Sequence, residues 1–203
     1  QRTLPPRAHH FGQLVHSDLL SMPESIERYL YILVFVDEAS SEGAIRFLKS
    51  KTAAAVLEGL QSYVAEYGHM MEGGRVATWH TDNGGEIDSS DIDAFCNAVA
   101  THQTKTPAHT PELNGKAERF NGIILRGVRI LLAESNLTEG LWPYAAAQVC
   151  NIHKRLVSRA LNPPMSPYEF NRKRKPDLDK YRVWGCKCFA HLDKEERQKF
   201  GLH

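Results

Sequence analysis

Apolar residues recur along the chain in two rhythms, one of strands and one of helices. From Phe11 to Leu20 the stretch FGQLVHSDLL has strand character and runs into the Ser21-Met22-Pro23 turn. Arg28 to Asp37, RYLYILVFVD, is an unbroken β-branched and aromatic run, the mark of a strand buried on both faces, and Gly43 to Lys49 reads as its neighbour. Thr52 is placed to cap a helix, AAAVLEGLQSYVAEYG, that stops at Gly68. RVATWHTD then forms a short strand that enters the turn Asn83-Gly84-Gly85. Asp91 to Ala100 reads as a helix and His102 to Thr106 as a strand.

A Pro- and Gly-punctuated loop feeds the next helix, where Leu113, Ala117, Phe120, Ile124, Val128 and Leu131 recur at steps of three and four. That stripe faces a core. Asn114, Glu118 and Asn121 line up on a second face, with Lys116, Arg119, Arg126 and Arg129 beside it. After a break at Ser135-Asn136, Leu141 to Leu156 forms another amphipathic helix, which supplies core or an interface. The order of elements predicts an α/β fold with a mixed sheet flanked by helices. We divide the chain into a linker over residues 1–12, a core over 13–157 and an extension over 158–203 packed on the core. The extension carries the basic run Arg172-Lys173-Arg174-Lys175 and a strand-like VWGCKCFAHL. That run suits DNA contact, a nuclear-localisation patch or a solvated surface equally.

Charge sharpens this picture. The 203 residues carry a net charge of only +1. Residues 1–100, however, hold 7 Lys/Arg against 14 Asp/Glu, and residues 101–203 hold 18 against 10. An acidic half suited to cations joined to a basic half suited to polyanions is expected of a nucleic-acid enzyme, although two such surfaces can also simply neutralise each other. Cys96, Cys150, Cys186 and Cys188 have no zinc-type spacing and read as reduced, buried thiols of an intracellular protein. No apolar run has the length of a membrane span. The start at Gln1, without Met, suggests a piece of something longer.

Three acids stand where chemistry could use them. Asp18 ends a strand as His16-Ser17-Asp18, Asp82 ends another as His80-Thr81-Asp82, and Glu118 lies on the helix after the Gly/Pro loop. Converging carboxylates repel one another unless cations are present, and a pair of divalent ions is the usual means of activating a hydroxyl at a phosphodiester and stabilising its leaving oxygen. Each acid also has a plain structural reading: Asp18 as a turn capper before Pro23, Asp82 as the start of an Asx turn, Glu118 as a partner for Lys or Arg. His16 and His80 each precede an acid by two residues on the same strand face, fit to orient it or simply hydrogen-bonded within the sheet. Asn83 is placed to steady Asp82 or to serve the turn. Asn114 stands where a hinge closes over DNA or where a helix merely starts, and Lys116 and Arg119 are candidate phosphate contacts or a solvated face.

Thirty-five residues separate Asp82 from Glu118. With the words VHSDLL, HTDNGGEI and TPELNGKAERFNGIIL, the chain resembles the catalytic core of retroviral-type integrases, most nearly the copia-type LTR retrotransposon branch. SPYEFNRKRKPDLDKYRVWGCKCFAHL resembles the segment that follows the core in copia-type polyproteins, so the likeness runs from about Leu14 to Leu192. It implies an RNase H-like fold and a polynucleotidyl transferase in which Asp18, Asp82 and Glu118 bind two Mg²⁺ (or Mn²⁺) ions. The implied task is to process retroelement DNA ends and join them to host target DNA. It further implies a homo-oligomer, dimer or larger, and nuclear action after cytoplasmic virus-like particle assembly. A catalytically silent, domesticated DNA-binding or assembly module and an RNase H-type nuclease are the alternatives. The family's amino-terminal zinc domain is not in this sequence. Glu112, Leu113 and Lys116 depart from the family motif at positions expected to affect DNA contacts more than metal binding.

Overall fold

The computed structural model describes residues 8–81, 89–105 and 115–189. Five strands, β1 (Leu14–Ser21), β2 (Tyr31–Asp37), β3 (Gly43–Leu48), β4 (Thr78–Thr81) and β5 (His102–Lys105), form one sheet in the order β3-β2-β1-β4-β5. The first three are antiparallel, and β4 and β5 join in parallel. Helices α1 (Ala53–Tyr67), α2 (Ser90–Ala98), α3 (Gly115–Ser135), α4 (Trp142–His153) and α5 (Pro167–Arg172) complete the chain. The mixed sheet flanked by helices is the fold class expected. Helix α5 went unseen in the sequence, being short and opened by Ser166, whose hydroxyl accepts from Glu169 N.

Strand β2 is buried along almost its whole length because it serves two cores. Leu33 and Phe35 point to one face with Val15, Trp79 and the α1 residues Val56, Leu60 and Tyr63, and Phe35 stacks on Tyr63 at 4.4 Å. Ile32, Val34 and Val36 point to the other, against Phe120, Ile124 and Val128 of α3 and Trp142, Ala146 and Val149 of α4. The 3.6-residue stripe of α3 therefore does what its spacing predicts, with Leu132 more buried than Leu131, while Leu113 lies outside the described residues. Thr52 caps α1 by accepting from Ala55 N.

Within the span read as a linker, Ala8 and Phe11 are buried and Gly12 N donates to Asp37 Oδ1 at 2.8 Å. In the extension, the guanidinium of Arg172 forks onto both oxygens of Glu42, at 2.8 and 2.9 Å, and Asn171 adds a third bond at 2.7 Å. Glu42 is only 2% exposed, so this pairing provides the charge neutralisation that a buried carboxylate requires.

Two expectations fail here. VWGCKCFAHL is not a strand over its described part: residues 183–189 pair with nothing in the described sheet, and Val183 and Phe189 are 80% and 99% exposed. An alternating apolar pattern stabilises a strand only where another strand or surface covers it. The cysteines divide for the same reason. Cys96 and Cys150 are buried, with burial raising both thiols to about 11, but Cys186 and Cys188 are exposed.

Candidate active site

The register of the sheet decides which side chains meet α3. Asp18 pairs with Val34 and His16 with Val36, so residues 16, 18 and 20 of β1 share the α3 face of the sheet. Across that face, Asn121 Nδ2 donates to Asp18 Oδ2 at 2.7 Å, and Leu19 N donates to Asp18 Oδ1 at 2.8 Å. Glu118 lies three residues before Asn121 in the same helix and is exposed. Residues three apart are neighbours on a helical face, so Glu118 stands one helical turn along α3 from the Asn121–Asp18 contact.

Asn121 shares the face of Glu118 in the helical pattern of the sequence, which by itself assigns it no role. Its position three residues after Glu118 was the available signal. Its Oδ1 is buried and, among the described residues, has no hydrogen-bond partner.

Asp82 and Asn83 lie outside the described residues, as does Asn114. The described β1–β4 ladder ends at the pair Ser17–Thr81, the residues immediately before Asp18 and Asp82 in the chain. Among the described residues no three His, Cys, Asp or Glu side chains gather as a metal site. The described groups nevertheless suit a hard cation: carboxylate and amide oxygens, one of them an orphaned buried acceptor.

His16 and His80 face each other on the parallel strands β1 and β4, with ring centroids 5.3 Å apart in a T-shaped arrangement. The His16 ring meets Glu38 Oε2 at 2.9 Å through Nε2, and His80 Nδ1 meets Thr104 Oγ1 at 2.9 Å. Burial, followed by the neighbouring His16, holds the His80 imidazole below its ordinary value and favours the neutral ring.

Lys116 is held in place. Its Nζ donates to Glu38 O at 2.5 Å and lies 3.2 Å from Glu38 Oε1. Burial pushes the Glu38 carboxyl up, but the His16 bond and the Lys116 ammonium outweigh it and leave the group below its usual value. Glu38 therefore connects the strand carrying Asp18 to the first turn of the helix carrying Glu118. Arg119 is exposed and, with Lys116, Ile123 and His153, lines a cavity of about 560 Å³ on that side of α3.

With this geometry in hand, comparison with known proteins identifies the family. The model of the family described as "Integrase core domain" matches residues 8–111, half of the chain. The Retrovirus-related Pol polyprotein from transposon TNT 1-94 of Nicotiana tabacum is 30% identical over 191 residues, covering 92% of this chain and 14% of that polyprotein. The polyprotein from transposon RE1 of Arabidopsis thaliana is 30% identical over 184 residues, covering 89% and 12%. The chain thus spans about an eighth to a seventh of the length of these relatives. Among solved structures, a chain of the simian T-cell lymphotropic virus intasome in complex with PP2A regulatory subunit B56 gamma superposes with a TM-score of 0.70 at 17% identity, covering 95% of this chain and 64% of that one. The HTLV-2 integrase catalytic core domain in complex with magnesium (trimeric form) gives 0.58 at 19% identity, covering 79% and 96%. These two likenesses concern the fold, which is that of the RNase H-like retroviral integrase cores. On the family match, together with the relatives it agrees with, the chain belongs to the integrase core domain family of retroviral type.

Proposed function

We propose that the chain is the core of a metal-dependent polynucleotidyl transferase that trims retroelement DNA ends and joins them to host DNA. The observation that carries this reading is the bond between Asp18 and Asn121, which sets a strand carboxylate one helical turn from Glu118 on a rigid rod. Asp18, Asp82 and Glu118 are the residues to hold Mg²⁺ or Mn²⁺, and a divalent ion bound there would supply Lewis-acid activation of a hydroxyl. The protein's own part is to orient. Asn121 fixes one oxygen of Asp18, and the Glu38 contacts fix the start of α3. Arg119 is left as the phosphate-facing cation of this turn.

The relatives support the same reading. One matched solved structure is an intasome and another is a magnesium complex in a trimeric form. We extend from them to this chain a working homo-oligomer, DNA ends and target DNA as partners, and action in the nucleus after virus-like particle assembly in the cytoplasm. Among the described residues no helix is long and apolar enough to cross a membrane.

The test is incubation of the chain with labelled duplex DNA carrying element ends and, separately, with an RNA–DNA hybrid, in Mg²⁺ or Mn²⁺. Cleaved and joined DNA products that disappear in Asp18→Asn and Glu118→Gln support the proposal. Preferential cutting of the hybrid would make the chain a nuclease of RNase H type, and DNA binding without products in either metal would leave a non-catalytic module.

A further inference from the structure

We propose that the extension and the end of α4 form a second, metal-independent binding site for a nucleic-acid phosphate backbone. The structure divides the basic run that the sequence presents as one block. Arg172 is committed to buried Glu42, and Lys173 Nζ sits over the Phe170 ring at 4.9 Å. Arg174 and Lys175 turn instead into a groove of about 690 Å³ that also takes in Arg155, Lys180 and Arg182. One acid, Asp177, lines the same groove, 3.8 Å from Lys180 in an exposed and therefore weak pair. The groove is a concave surface with a clear excess of positive charge, and it shares no lining residue with Asp18, Glu118 or Asn121.

Its chemistry favours phosphodiester over carboxylate partners. Three of the five cations are arginines, whose planar forks match phosphate oxygens. Arg155 is set in place by two rings, Tyr168 at 5.1 Å and Tyr181 at 5.3 Å. Among the described residues, Arg155 and Arg182 spend only Nη1 on Asn151, Asp179 and Tyr181, which leaves the other donors of each fork for a ligand. A polyanion with regular spacing can use such a row, and competition by polyglutamate separates a phosphate backbone from an acidic peptide that would use Tyr168, Tyr181, Val183 and Trp184 of the same lining. The choice of nucleic acid as the polyanion rests on the function proposed above; the existence of an anion groove does not.

Binding is measured by fluorescence anisotropy in EDTA, with short labelled duplexes of DNA and of RNA and with polyglutamate as competitor. The DNA and RNA arms tell which backbone the groove prefers. Arg174→Ala/Lys175→Ala should weaken duplex binding on the order of 10-fold and flatten the dependence of log K on log salt by about 0.9 for each phosphate that is no longer neutralised. Lys49→Ala/Lys51→Ala, exposed lysines outside the groove, should bind as wild type. Both pairs lie on the surface, and unchanged circular dichroism shows that each variant is folded; Arg174→Glu/Lys175→Glu should deepen the loss. The assay runs in EDTA, without the divalent ion that the catalytic reading requires, so failure of that reading leaves this one standing. Wild-type affinity and salt slope in the groove variants would overturn the proposal, as would polyglutamate competing as well as duplex at equal charge.

Discussion

Asn121 and Asp18, 103 positions apart in sequence, are joined by a 2.7 Å bond from amide nitrogen to carboxylate oxygen. Such a bond fixes the direction in which the carboxylate presents its remaining lone pairs. If the proposed function holds and Asp18 is a metal ligand, Asn121→Ala is expected to lower DNA cleavage and joining by about 10- to 100-fold, the usual effect of losing a group that orients such a ligand. The unfolding midpoint should stay close to wild type. Asn121→Asp should do no better, since it sets one carboxylate against another. Cleavage assays over a range of Mn²⁺ concentrations check this, and full activity in Asn121→Ala would remove the positioning role.

Glu38 holds the first turn of α3 through Lys116 and touches β1 through His16. Lys116→Met is therefore expected to loosen that turn, seen as faster amide hydrogen exchange over residues 115–119 with the rest of α3 unchanged. Unaltered exchange there would mean that core packing alone seats the helix start.

These two contacts mark what was legible in the sequence and what was not. Periodicity located α3 and its buried stripe because apolar burial repeats with the helix. It placed Glu118 and Asn121 on one face for the same reason. It could not pair Asn121 with Asp18, since that depends on which strand lies beneath the helix. Lys116 reads from the sequence as a phosphate contact or as part of a solvated face, because a cation beside an acid suits both, and its cross-chain partner Glu38 is invisible until the end of β2 and α3 are brought together. Arg172 was masked likewise by its basic neighbours, and its real partner, Glu42, lies 130 residues away. Cys186 and Cys188 were misplaced because an alternating apolar pattern tells only what a segment would do if something covered it.

Arg172→Met leaves Glu42 buried with its charge met only by Asn171. Stability should fall by about 3–5 kcal/mol, the usual cost of breaking one side of a buried ion pair. Urea unfolding checks the figure. Glu42→Gln combined with Arg172→Met should recover part of the loss, because no charge is then left uncompensated.

Gly43 abuts the Phe120 ring so closely that a methyl group there would overlap it. Gly43→Ala should cost about 1–3 kcal/mol by overpacking, and Gly43→Ala/Phe120→Leu should recover part of that by vacating the space. Equal stabilities for the two variants would place the strain elsewhere.

Burial holds the His153 imidazole below its ordinary value of 6.5, with its ring edge-on to Phe120 at 5.0 Å. The fold thus favours the neutral ring, and the unfolded chain takes up a proton first as pH drops. The stabilisation is complete above about pH 6.5 and is lost as pH falls through the lower, folded value. Glu38, Lys116 and Arg119 line the same cavity. His153→Phe should flatten the decline of the melting temperature on the acid side of pH 6.5; an unchanged profile would assign the decline to other groups.

Strand β2 feeds one hydrophobic core with Leu33 and Phe35 and the opposite core with Ile32, Val34 and Val36. A slip of one residue against β1 would turn both sets inside out at once, so neither core tolerates it. The address of Asp18 opposite Val34 is thereby written by grease on two sides, with no help from any ion. Replacing the carboxylate at position 18 therefore leaves that address where it is, because packing and not the acid sets the register.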